Sequence, residues 1–217
     1  MSSPNARATY SLADRLLIRL HQRTSHGHRI RRLIDALAPR IPVGARVLDL
    51  GCGDMTLLAG LATQRRPSRC VGADIWQLRV QPPAGCDYVR IEPGQPLPWT
   101  HRDFDVVLLV DTLHHAQTPG QLLQQASAAG DTVLVKDHLE YGPWSRTLLR
   151  LMDFVGNYGY GVSVPRRYFT QRSFTDLVAR VAPHRRCRMD VGLDLYDHLP
   201  VARTILSPKL HFIAELQ

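Results

Sequence analysis

Between positions 46 and 137 the sequence alternates short apolar runs with stretches of helical period, and few architectures satisfy that rhythm. Residues 47–50, 70–74 and 87–91 read as strands, and so does the segment 131–137, DTVLVKD. FDVVLLV, at 104–110, is the most continuous apolar run and reads as a strand buried on both faces. Residues 56–63 and 119–128 carry helical spacing between these strands. Strand–helix alternation of this kind builds crossover units, so the expected fold class is α/β, with a mainly parallel sheet and helices on both faces. After Asp137 the rhythm breaks. A helix at about 144–154, the loop GNYGYGVSVPRRYFT and a helix at about 173–181 lead to two strand candidates, 186–195 and 210–216, suited to an antiparallel pair.

Ahead of this region, Leu12, Leu16, Leu17 and Leu20 recur at helical spacing behind Ser11, and Ile30, Leu33, Ile34 and Leu37 repeat the pattern until Pro39 stops it. Residues 1–40 therefore read as an N-terminal helical cap and 41–217 as the main domain. HQRTSHGHR reads as a polar connector whose histidines face solvent. Of the net charge of +8, six units lie in the first forty residues, where eight arginines face Asp14 and Asp35. A solvated helical face accounts for such a run, and the same field suits an acidic carrier protein or RNA. No apolar run approaches the roughly 20 residues of a membrane span. The N-terminal apolar stretch is interrupted by Asp14, Arg15 and Arg19, unlike a secretory signal, so a cytoplasmic location is expected. Four cysteines lack any CxxC spacing and read as reduced packing residues.

VLDLGCGDM, at 47–55, places a strand ending in Asp49 before Gly51, Gly53 and a helix. Glycines permit the tight turn and close approach of a ligand to the backbone. The stretch has no third glycine for GxGxxG and no GxxxxGK[ST], so a pyrophosphate is not expected there. Asp49 would repel phosphate but suits an amino group or a cation. VGADIW closes the second strand with Asp74, which can accept both hydroxyls of a ribose. Ile75 and Trp76 can flank a purine. A nucleoside with a cationic, amino-bearing tail describes S-adenosylmethionine.

VLDLGCGDM, VGADI, FDVVLLVDTLHH and HFIAEL, in this order, resemble a class I S-adenosylmethionine-dependent methyltransferase of the small-molecule group that includes the ubiquinone and menaquinone enzymes. The resemblance covers about residues 28–217. It implies a Rossmann-like seven-stranded sheet, mostly parallel, with an antiparallel last strand, and S-adenosyl-L-methionine as cofactor. It assigns cofactor roles to Asp49, Gly51, Gly53 and Asp74; Cys52, Ile75, Val110 and Asp111 complete the expected contacts. Two departures stand out. Met55 replaces a third glycine found in many members, and RIEPGQPLPW lacks the usual acidic-small pair after the third strand, leaving Glu92 as candidate partner of the adenine amino group.

Methyl transfer is an in-line displacement, so the protein chiefly positions the acceptor and removes its proton when needed. The strand ends VDTLHH and VKDHLEY supply the candidates. His114 or His115 is a possible general base, as is an Asp137–His138 couple in which the carboxylate fixes the imidazole tautomer; a salt-bridged strand end with Lys136 is the plainer reading of the second pair. A catechol-type enzyme would hold a divalent cation near Asp111, Asp137 and His138, but with histidine in place of asparagine no metal is assigned. Residues 139–170 read as a substrate cover, with Tyr141, Tyr158, Tyr160 and Tyr168 as candidate substrate contacts. The expected reaction is methylation of an O, N or C atom of a small aromatic or apolar acceptor; RNA or a carrier-bound substrate is the alternative.

Overall fold

The computed structural model describes residues 26–157, 164–199 and 205–217. The helix expected at Leu12–Leu20 falls outside them, as do Tyr158 and Tyr160. Helix α1 (Gly27–Leu37) buries Leu33, Ile34 and Leu37, and a single 3₁₀ turn containing Pro39 follows it. Because the helix already starts at Gly27, His28 is not part of a solvent-facing connector. Its Nε2 lies 2.5 Å from the Asp197 carboxylate, and its ring lies against His198 with centroids 3.8 Å apart.

The main domain then runs β1 (Arg46–Leu50), α2 (Thr56–Arg65), β2 (Arg69–Asp74), β3 (Asp87–Arg90), β4 (Phe104–Val110), α3 (Pro119–Ala129), β5 (Gly130–His138), α4 (Pro143–Asn157), α5 (Gln171–Val181), β6 (Cys187–Val191) and β7 (His211–Leu216). The strands form one sheet of order β3-β2-β1-β4-β5-β7-β6. All neighbouring pairs from β3 to β5 are parallel, and β7 runs antiparallel to both β5 and β6. This is the architecture expected from the sequence, including the reversed last strand.

Side chains of successive strand residues point to opposite faces, and the two cores follow that alternation. Val107 and Leu109 of β4 join Val133 and Val135 of β5, Leu123 of α3, and Phe174 and Leu177 of α5 on one face. Val106 and Leu108 join Leu134, with Leu33 and Leu37 of α1 and Leu57 and Leu58 of α2, on the other. The sheet is thus covered on both sides, and the open end left between the helices is the carboxyl end of the parallel strands. Among the described residues no helix is long and apolar enough to cross a membrane.

One expectation is overturned. Cys70 and Cys86 are joined by a disulfide, with Cα atoms 4.6 Å apart, whereas Cys52 and Cys187 are free thiols. Spacing did not reveal the pair because β2 and β3 are adjacent parallel strands. The loop between them returns Cys86 to the start of the sheet, beside Cys70.

Two outcomes follow from this packing. Phe212 is fully buried and meets Phe174 with ring centroids 4.7 Å apart, so Phe212→Ala lowers stability in urea unfolding by about 3–5 kcal/mol. The chain unfolded without reductant exposes two of its four thiols to a colorimetric reagent, and all four after reduction.

Candidate active site

The glycine loop follows β1 directly. Gly51 has φ +80°, and a Cβ there would lie 2.4 Å from Thr112 Oγ1, so both conformation and space require glycine. The Thr112 hydroxyl in turn bonds the carbonyls of Leu50 and Val110 at 3.2 and 3.0 Å, tying the ends of β1 and β4 together. Gly53, at φ +56°, faces open space, and its N–H donates to Asp74 Oδ2 at 2.9 Å. The other Asp74 oxygen accepts the Trp76 N–H at 3.1 Å. Asp74 thus sets the loop and the strand end against each other, with Ile75 and Trp76 exposed beside it.

Met55, where the resembled family often has glycine, adopts φ +62° and is completely buried. Its methyl group occupies the space that a Cβ on Gly72 would enter, and Cys52 Sγ lies there too. Asp49 is buried, and its Oδ1 has no hydrogen-bond partner. Burial, reinforced by the charge of Asp74, pushes its carboxyl up to about 7. Burial and the same two carboxylates push the Cys52 thiol up, so Cys52 is no thiolate nucleophile. Glu92 lies beyond β3, largely exposed, with its carboxylate turned toward Arg90 at 3.8 Å.

At the ends of β4 and β5 the structure assembles a buried polar cluster. Asp111 has φ +52°, and its carboxylate receives the Lys136 ammonium at 2.5 Å and the guanidinium of Arg29 from α1. These two cations outweigh burial and hold the Asp111 carboxyl well below the usual range. His114, in the short turn after β4, places Nδ1 2.5 Å from Asp137 Oδ1 and Nε2 3.3 Å from Asp153 Oδ2. His138 Nε2 lies 3.4 Å from Asp111, and His138 Nδ1 lies 3.1 Å from Nδ1 of His211 on β7.

Residues 19–181 match the sequence model of a family described as the methyltransferase domain. The chain belongs to that family. No curated protein matches it by sequence. Solved structures resemble it in fold. A methyltransferase in complex with the Haloferax volcanii Trm112 methyltransferase activator superposes with TM-score 0.68 at 12% identity, covering 96% of this chain and 98% of that one. An S-adenosylmethionine-dependent methyltransferase from Mesorhizobium loti gives 0.63 at 16%, covering 84% and 96%. The plantazolicin methyltransferase BpumL, in complex with a desmethylated plantazolicin analogue and SAH, gives 0.61 at 14%, covering 95% and 91%.

In this methyltransferase the couples read from the sequence are re-paired. Asp137 meets the ring of His114 and not that of His138, because neighbours along β5 face opposite sides of the sheet; only the backbone N–H of His138 reaches Asp137, at 2.6 Å. Lys136 pairs with Asp111 rather than with Asp137 or Glu140, and Glu140 instead binds Arg146 through two contacts of 2.9 Å. The Asp111 and Asp137 oxygens are committed to these partners, which does not favour a divalent cation at Asp111, Asp137 and His138. Burial lowers the affinity of His114 for its second proton, but Asp137 and Asp153 outweigh it and raise the pKa to about 10. Burial, with Lys136 adding to it, lowers His138 well below 6.5, so His138 is neutral at pH 7. The His115 ring lies against that of His114, tilted by 45°, with ring centroids 3.9 Å apart.

The tyrosines expected to meet substrate divide. Tyr141 is exposed, whereas Tyr168 is buried and donates its hydroxyl to Asp153 at 2.6 Å. Gly156, in the stretch GNYGYGVSVPRRYFT read as a loop, lies within α4. Arg29, Thr112, Asp153 and His211 were not expected at the site. A charged residue inside an apolar helical run, as in LLRLMDFV, was the available signal for Asp153.

Asp49 yields a prediction with a definite sign. Its carboxyl is raised from 3.8 to about 7 on folding, so the unfolded chain releases a proton that the folded chain retains, and stability falls as pH rises from about 4 to 7. Asp49→Asn therefore gains on the order of 2–4 kcal/mol in thermal melts at pH 8 relative to its effect at pH 4. Gly51→Ala loses stability at both pH values through strain and the collision with Thr112.

Proposed function

We propose that the chain transfers the methyl group of S-adenosyl-L-methionine to an O, N or C atom of a small organic acceptor. The observation that carries this reading is the orphaned, buried Oδ1 of Asp49 beside a glycine loop that is open at Gly53. A carboxylate without a partner in such a place is stabilised by an ammonium, and the amino group at the end of the methionine tail provides one. The residues fit this cofactor: Asp49 and the Gly51–Gly53 backbone would hold the tail, Asp74 the ribose, and Ile75 and Trp76 the purine. When bound, the cofactor supplies an electrophilic methyl group for in-line displacement.

The remaining work falls to this chain. Asp111, Lys136 and Arg29 fix the end of β4 against β5 and α1, and His114, His138 and Asp153 form the acid–base cluster facing the acceptor. Helix α1 brings Arg29 to the wall of the site, and α4 brings Asp153. An RNA or carrier-bound acceptor is the second reading. On α1 and its following turn Arg29, Arg32 and Arg40 are paired with Asp111, Asp197 and Asp190, so what that reading draws from this stretch is the exposed Arg31.

Calorimetry of the full chain with S-adenosylhomocysteine is expected to give a micromolar-range Kd, weakened at least roughly tenfold by Asp74→Ala. Absence of any binding by the intact chain would remove the reading.

A further inference from the structure

Asp153 is a carboxylate only 6% exposed, carried by α4 into the middle of the site. Its Oδ2 takes the Tyr168 hydroxyl at 2.6 Å and lies 3.3 Å from His114 Nε2, while its Oδ1 lies 3.7 Å from His138 Nε2. The contact with His114 is close enough for an ion pair but off the line of a hydrogen bond, so Nε2 is a buried nitrogen with no aligned acceptor. Nδ1 is committed to Asp137. Nε2 is therefore the atom of His114 turned toward Asp153 of α4.

The helix that brings Asp153 is lightly held. Leu149 of α4 packs with Tyr168 and Leu210 in a small cluster of its own, with Leu148 alongside, and Met152 is the residue of the helix that also reaches the core on the α1 and α2 side of the sheet. Segments held by few buried apolar contacts open at low free-energy cost. Gly142, with φ +154°, immediately precedes the helix.

We propose that Asp153 is a positioning residue that makes the proton-accepting state of His114 conditional on the seating of α4. The proposal rests on the methyltransferase reading above. With α4 seated, the imidazole stands between two carboxylates, carries both protons and accepts none. An acceptor whose O–H or N–H enters between Nε2 and Asp153 displaces the carboxylate. The Nε2 proton passes to water, and methylation then delivers the acceptor's own proton to Nε2. The charged and titratable groups facing His114 are Asp137 and His138 of β5, Asp153 of α4, Tyr168 ahead of α5, His115 beside it and Asp111 at the end of β4. Of these only Asp137 and Asp153 touch its ring nitrogens with negative charge.

The test is a nitrogen-15 NMR titration of histidine-labelled full chain, with His114 assigned by its loss in His114→Asn. His114 is expected to be doubly protonated at pH 8, and Asp153→Asn to lower its midpoint by about 1–3 pH units. Tyr168→Phe removes only the hydroxyl on Asp153 and is expected to leave the midpoint within about half a unit. A neutral His114 at pH 8 in the unaltered chain, an unmoved midpoint in Asp153→Asn, or an equal shift in Tyr168→Phe overturns the proposal. Should Asp153→Asn not fold, Asp153→Glu must keep His114 charged at pH 8, and a neutral ring there overturns it as well. Calorimetry with S-adenosylhomocysteine on the same samples separates the two claims. Binding with an unmoved midpoint sinks the coupling alone, whereas absence of binding sinks the methyltransferase reading.

Discussion

The arrangement at the strand ends depends on one carboxylate holding two cations. Asp111 adopts a left-handed backbone that costs a residue with a side chain about 1–3 kcal/mol, and it does so where Lys136, fully buried, needs a counter-charge. Removal of either partner from a buried ion pair leaves an uncompensated charge, so the strain at Asp111 is offset by what it neutralises. The second cation, Arg29, comes from α1. A single side chain thereby joins α1, β4 and β5, and sets the wall against which the histidines stand.

The alternation of side chains along β5 divides that wall into two electrostatic environments. Lys136 and His138 turn to the side of α1 and α2, where the cations of Lys136 and Arg29 keep His138 and His211 neutral on top of the effect of burial. Asp137 turns to the other side, where with Asp153 it keeps His114 charged. Adjacent residues of one strand thus leave one imidazole charged and the other neutral, with ring centroids only 5.0 Å apart. Neighbouring groups whose surroundings push their proton affinities apart can divide acid and base work between them.

The fold was legible in the sequence because burial imposes periodicity. FDVVLLV announces a strand covered on both faces, and the alternation of strand and helix prescribes parallel crossovers. Gly51 was legible for a local reason, since a turn this tight excludes a side chain. The pairings within the site were not legible. Asp137 and His138 are neighbours in the chain, but a strand separates neighbours, and the true partner of Asp137 lies in the turn after β4. Arg29 and Asp153 come from helices whose rotation about their own axes decides where a charged residue points. Cys70 and Cys86 meet through the ordering of strands, which spacing along the chain does not encode.

Met55 and Gly72 illustrate the same coupling between distant positions. The loop position that commonly holds glycine carries a large side chain, and the volume it needs is released by a glycine on the neighbouring strand, against whose backbone the methionine methyl lies. The two positions behave as one unit of fixed volume shared between loop and strand. Steric room beneath the glycine loop is therefore shared between two positions, and a methionine side chain, soft and polarisable, fills the space that a side chain on Gly72 would need.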